Sequence, residues 1–98
     1  MNHPTPRERI AVLHAIRDRH AGQTGATQCD RLLEALQTLG SVTTTEAMRY
    51  LDIYRPPARK WNLVEGGHAI LTTWDRGETE SGEIHRVGRY SLVKGNQS

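Results

Sequence analysis

The chain has 98 residues, of which 36% are hydrophobic and 24% charged, so it has room for one domain with a modest core. Its single cysteine, Cys29, excludes an internal disulfide, and without a secretory apolar region or an apolar run of about 18 residues we expect a cytoplasmic protein outside the membrane. The net charge of only +2, at a pI near 9.0, is a weak argument for a polyanionic partner.

The first predicted element is a short amphipathic helix over residues 6–20. Ile10, Leu13 and Ile16 recur at three-residue spacing, and the other face is mostly basic. Residues 21–27 carry two glycines among small polar residues, which predicts a hinge that lets this helix pack separately from the rest of the chain. The helix is therefore our candidate element for a homodimer.

The second predicted helix covers residues 27–39, with Thr27 as its cap. Its apolar residues recur at helical intervals, and Gly40 supplies the stop just beyond it. The apolar set is Cys29, Leu32, Leu33, Leu36 and Leu39. We expect Cys29 to lie in the core.

The third predicted helix covers roughly residues 44–51. Thr43 and Glu46 have the spacing of a capping box, in which each side chain accepts a hydrogen bond from the backbone N–H of the other residue. Val42 and Ala47 have the spacing of a hydrophobic staple. These signals make the start of this helix well determined.

A fourth helix is predicted over residues 56–65, opened by two prolines and ended by two glycines. The period then changes from helical to alternating, which predicts a hairpin. Its strands would cover about 69–74 and 84–93, joined by the polar loop 75–83.

Packing expectations for the C-terminal half concern its few large residues. Val87 and Tyr90 can both face the core only if the strand bulges, and Gly88 is the natural place. With so few aromatics in the chain, Trp61 and Trp74 are expected to complete the core.

The order of these elements predicts an α+β fold, mainly α, of the winged helix-turn-helix type. In this organisation residues 1–26 form an extra N-terminal helix and linker, residues 27–94 form the winged unit, and residues 95–98 form a frayed tail. The hairpin at the C-terminal end would be the wing.

The stretch 29–93 resembles a family of small winged helix-turn-helix DNA-binding domains common in phages and prophages. The most specific matching elements are SVTTTEA, GHAILT and HRVGRY, and the first 26 residues lie outside the resemblance. The resemblance implies a non-enzymatic protein that recognises duplex DNA through helix 56–65 and the wing, as a transcriptional regulator or as part of a larger nucleoprotein assembly.

Within this architecture Arg55 is the first choice for a base contact, because its guanidinium can bind O6 and N7 of guanine together. The remaining candidate DNA contacts are Thr44, Thr45, Arg49, Tyr54, Arg59, Lys60, Arg76, Arg86 and Arg89. Some have a plain structural alternative. The threonines could simply cap a helix, and Arg59 could pair with a carboxylate on another helix.

A protein-binding module on the same scaffold is the alternative function. The outer half of helix 56–65 is weakly cationic, and Glu78, Glu80 and Glu83 make the wing tip acidic. No metal-ligand spacing, nucleophile elbow or phosphate-cradling glycine loop is present, so we expect no catalysis, cofactor or metal.

Overall fold

The computed structural model describes residues 4–78 and 84–93, which form four helices and a three-stranded antiparallel sheet. In chain order the elements are α1 (Pro6–Arg19), α2 (Gly25–Leu39), β1 (Ser41–Thr43), α3 (Thr44–Tyr50), α4 (Pro56–Glu65), β2 (Ile70–Glu78) and β3 (Ile84–Leu92). The strands are ordered β1-β3-β2. This is the predicted α+β fold, with helices packed on one sheet whose last two strands form the wing.

Helix α2 begins earlier than predicted. Its cap is Thr24, whose hydroxyl accepts a hydrogen bond from the backbone N–H of Thr27 at 3.1 Å. Thr27 therefore lies inside the first turn, and its prediction as the cap is wrong. The predicted stop is confirmed, since Gly40 ends the helix with a positive φ of 86° and donates its N–H to the carbonyl of Leu36.

Helix α1 is part of the single core. Leu13 and Ile16 are completely buried in the same cluster as the residues of α2 and α3. The prediction that this helix packs separately across a hinge is therefore wrong. The apolar residues that suggested a dimer contact are used inside the chain, so a dimer through α1 would need its outer face.

An ion pair fixes the first half of α1 to α3. Arg9 Nε donates to Glu46 at 2.6 Å, and one Nη of Arg9 donates to the carbonyl of Ser41 at 2.7 Å. Glu46 also completes the capping box of α3: it accepts the N–H of Thr43, whose hydroxyl accepts the N–H of Glu46, both at 3.0 Å. The predicted capping box is confirmed, and it carries a tertiary contact in addition.

The free energy of unfolding should fall at acidic pH, in part because Glu46 becomes protonated. Burial raises the pKa of this carboxyl, but hydrogen bonds from Arg9 and the Thr43 backbone, with the charges of Arg9 and Arg89, bring it below 4.5 overall. A lowered pKa in the folded state means that the stabilisation is present above about pH 4.5 and is lost as pH falls through the folded value. Urea unfolding between pH 7 and about pH 3.5 should show this loss, and Glu46→Gln should flatten the curve. An unchanged curve in the variant would contradict the assignment.

Arg31 joins two loops from inside the protein. It is only 2% exposed, and its guanidinium donates to the carbonyls of His20, Gly22, Leu51 and Asp52. These carbonyls belong to the α1–α2 loop and to the turn between α3 and α4. Arg31 therefore fixes the turn from which α4 starts.

The short strand β1 is an element that the sequence pattern did not predict. It pairs with β3 in antiparallel register, with Ser41 opposite Ser91 and Val42 opposite Tyr90. Val42 and Ala47, the predicted staple residues, are both fully buried. The hairpin is thus widened to a three-stranded sheet at its base.

Strand β3 pairs with β2 without interruption, so the predicted bulge at Gly88 is wrong. Tyr90 is buried, whereas Val87 is partly exposed and lies on the opposite face of the strand. Gly88 has another role. A Cβ at this position would lie 3.2 Å from Thr44 Cγ2 and 3.6 Å from Trp74, so glycine lets the start of α3 and the indole approach the strand.

The predicted loop 75–83 is shorter in the structure, because β2 continues through Glu78. Residues 79–83 and the predicted tail 95–98 lie outside the described residues. Among the described helices, none combines the length and the apolar character needed to cross a membrane.

Candidate nucleic-acid interface

The segment just before α4 presents two candidate side chains to solvent. Arg55 is the N-cap residue, is exposed, and makes no capping hydrogen bond with its side chain. Tyr54 is 63% exposed, while its backbone N–H donates to Gln28 Oε1 at 3.2 Å. The backbone is therefore held by α2, and both side chains remain available for a partner.

The outer face of α4 is more apolar than charged. Trp61 and Val64 are exposed, and Lys60, one of the candidate contacts, is partly buried beside them in sequence. Trp61 is 60% exposed, so its predicted place in the core is wrong. The reason is that α4 buries only Pro56 and Leu63, which turns position 61 outward.

Arg59 lies against α2. With Gln28, Tyr54 and Arg55 it lines a cavity of about 150 Å³, which we call the α4 pocket. Its guanidinium lies over Gly25 in the first turn of α2. Among the described residues no carboxylate pairs with Arg59, so the structural ion pair considered for it is not found there.

A second group of candidates lies in a cleft of about 520 Å³ between α1 and α3. Thr45 and Arg49 are exposed along it, and the Arg49 guanidinium lies 5.8 Å from the ring centre of Tyr50. Arg89 also lines this cleft, but it donates to Asp75 and to Ser41 Oγ, each at 2.7 Å. Arg89 on β3 therefore links β1 and β2 by hydrogen bonds, and it is also a candidate DNA contact.

The third group lies on the wing. Arg86 is opposite Arg76 in the strand register, and the Arg86 guanidinium lies 5.0 Å from the ring centre of Trp74. Trp74 is 60% exposed, so its predicted place in the core is also wrong. Trp74 is opposite Gly88 in the strand register, and its indole lies near Gly88 beside Thr44, the remaining candidate.

Cys29 packs against the core without being fully buried. Burial raises the pKa of its thiol, although Arg59 acts in the opposite direction. A thiol with a raised pKa is a poor nucleophile at neutral pH. Among the described residues, no group of three histidine, cysteine or acidic side chains could hold a metal ion.

Two functionally placed residues were not predicted from the sequence, Gln28 and Arg31. Both are buried, and both fall on the i, i+3, i+4 pattern of the buried face of α2. The apolar residues of α2 mark the same face but do not include these two polar members. A buried glutamine and a buried arginine on that face are the signal that could have found them.

A family model described as a winged helix-turn-helix domain matches residues 27–95, which is more than half of the chain. No curated protein and no solved structure matches the chain significantly.

Proposed function

Because the chain belongs to the family of winged helix-turn-helix domains, we propose that it binds double-stranded DNA with α4 in the major groove and the β2–β3 wing against the backbone. In this role the protein acts by occupying a site, without chemistry. It is a small transcriptional regulator of the phage or prophage type.

The observation that supports this proposal most directly is the exposed Arg55 at the start of α4. In helix-turn-helix proteins the N-terminal residues of the recognition helix contact base edges. An arginine there can bind O6 and N7 of guanine with two parallel hydrogen bonds. Tyr54 lies beside Arg55 and adds a polar contact at the same groove.

Phosphate contacts come from the other two groups. Thr45 and Arg49 lie along the exposed side of α3, while Arg76 and Arg86 lie opposite each other on the wing. Like charges directly opposite on a sheet repel, and a phosphate between them would relieve that repulsion. These contacts position the protein without reading sequence. Thr44, Arg59, Lys60 and Arg89 complete the proposed set.

A second copy of the chain belongs to the same proposal. One module of this kind buries only about 600–1,000 Å² on DNA, so useful affinity calls for a dimer or a neighbouring protein. The exposed face of α1, where Ala11 and Ala15 lie among charges of both signs, is the candidate contact. Sedimentation of the full chain with and without duplex tests this, and a monomer in both states would contradict it.

The proposal is tested by fluorescence anisotropy of the full chain with a labelled duplex of mixed sequence. Arg55→Ala should weaken binding, whereas Lys94→Ala should not, because Lys94 follows β3 in the sequence and belongs neither to α1 nor to the proposed DNA contacts. Both variants lose one positive charge, so the pair separates a contact from a change in net charge. Equal effects of the two variants would contradict the proposed role of α4.

A protein-binding module is the second candidate, favoured by the exposed apolar side chains on α4. Trp61 and Val64 face solvent from the helix proposed to enter the groove. For this function Trp61→Ala is the damaging change and Arg55→Ala leaves a protein complex largely intact. For DNA binding the order is reversed.

A further inference from the structure

We propose that the α4 pocket, lined by Gln28, Tyr54, Arg55 and Arg59, is a binding site for a phosphate group. The site does not depend on the proposed DNA binding, although a DNA backbone phosphate is one source of the group. A free phosphate or phosphorylated small molecule is the other source. The shared chemistry is a tetrahedral oxyanion held between two guanidinium groups.

The charge of the lining is the first argument. Arg55 and Arg59 both border a cavity of about 150 Å³, and none of the lining residues within 4–78 and 84–93 is acidic. The structure records no acceptor for either guanidinium among the described residues. Two like charges at one small pocket repel each other, and an anion between them would stabilise both.

The second argument is that the position of the Arg59 side chain is energetically unfavourable in the absence of an anion. Its Nε is buried and has no hydrogen-bond partner in the part of the chain that the structure describes. Its guanidinium lies at the first turn of α2, the positive end of that helix. An arginine is poorly placed there unless an anion is also present. The guanidinium fork matches phosphate oxygens in geometry as well as charge.

The absence of a side chain at Gly25 is the third argument. A Cβ at this position would overlap Nη1 of Arg59, so only glycine allows the guanidinium to lie where it does. The part of the pocket formed by Gln28 and Tyr54 is held in place by two hydrogen bonds. Gln28 Nε2 donates to the Gln23 carbonyl at 3.0 Å, and Gln28 Oε1 accepts the Tyr54 N–H at 3.2 Å. The pocket is therefore shaped before any ligand arrives.

Thermal unfolding of the full chain in sodium phosphate and in sodium chloride, at equal ionic strength and pH 7, tests the site. A ligand that binds only the folded state raises Tm in proportion to the logarithm of its occupancy. The wild type should be more stable in phosphate than in chloride. Arg59→Ala and Arg55→Ala should reduce this difference to the general stabilisation that an excluded salt gives. Arg17→Ala, which removes the same charge on α1 and outside the pocket, should keep the full difference.

Gly25→Ala is the sharpest variant, because it displaces the Arg59 guanidinium without removing its charge. The displaced atom is the free end of a flexible side chain, and alanine is favoured over glycine in a helix, so Tm in chloride should be kept. The stabilisation by phosphate beyond that of an excluded salt should disappear. No difference between the salts in the wild type, or a full difference that survives in both Gly25→Ala and Arg59→Ala, would overturn the proposal.

Duplex binding at constant ionic strength, with chloride replaced stepwise by phosphate, distinguishes the two sources. If a DNA phosphate fills the pocket, added phosphate weakens duplex binding by the wild type but not by Arg59→Ala, whose affinity is already about tenfold lower. If a free phosphate fills it, duplex binding is unchanged by the replacement. A chain that binds phosphate but no duplex would overturn the proposed function and leave this site standing.

Discussion

Replacing Arg31 with methionine is expected to lower the free energy of unfolding by about 3–5 kcal/mol, the largest loss for any single polar side chain considered. Methionine keeps much of the volume but leaves the carbonyls of His20, Gly22, Leu51 and Asp52 without their donor. Each buried acceptor that loses its partner costs about 1–3 kcal/mol, and local relaxation recovers part of the sum.

Urea unfolding followed by circular dichroism measures this loss. The matched control is Arg17→Met, which removes an arginine paired with its neighbour Asp18 at the surface and should cost less than about 0.5 kcal/mol. Similar midpoints for the two variants would show that Arg31 does not tie the two loops together. A changed slope for Arg31→Met alone would point to an altered denatured state instead.

Replacing Arg55 with alanine is expected to lower affinity for the preferred duplex by about tenfold to a hundredfold and to remove discrimination at one base pair. The physical reason is the loss of a bidentate contact, which is worth about 1–3 kcal/mol against the wrong base. Loss of a phosphate contact would instead weaken all sequences equally.

A panel of duplexes, each with one substituted base pair, separates these two outcomes. Arg55→Lys is the informative control, because it keeps the charge but loses the fork geometry. It should retain most of the affinity for mixed sequence and lose the discrimination. Uniform weakening across the panel by Arg55→Ala would contradict direct base reading and leave Arg55 with only the phosphate contact in the α4 pocket.

The features that local chemistry controls were predictable from the sequence. The capping box of Thr43 and Glu46 and the glycine stop at Gly40 each depend on residues within one or two turns of each other. The same holds for α4, whose bounds are set by prolines and glycines. The correct order of these elements was enough to predict the fold class.

The errors concern contacts between residues that are distant in sequence. Strand β1 exists because Ser41 pairs with Ser91, and a three-residue segment carries no period of its own. The exposure of Trp61 and Trp74 depends on which face of α4 and of the sheet meets the core, which composition does not determine. Local sequence patterns also do not show the ion pair of Arg9 with Glu46, which joins α1 to α3.

The candidate site likewise has features that the sequence predicts and features that only the structure shows. The sequence identified the basic residues, but it could not show that they fall into three groups, in the α4 pocket, in the cleft beside α1 and on the wing. It also could not show that Arg59 lies over Gly25. These placements result from the packing of the helices. They distinguish the residues proposed to contact bases from those proposed to contact phosphates.

The central claim, duplex binding, is tested most directly by the affinity of the full chain for a duplex of about 20 base pairs at two salt concentrations. Arg49, Lys60, Arg76 and Arg86 would neutralise about four phosphates, so affinity should fall on the order of a hundredfold between about 50 and 200 mM salt. Failure to bind at about 50 mM salt, with protein up to about 10⁻⁴ M, would contradict the claim and favour the protein-binding module.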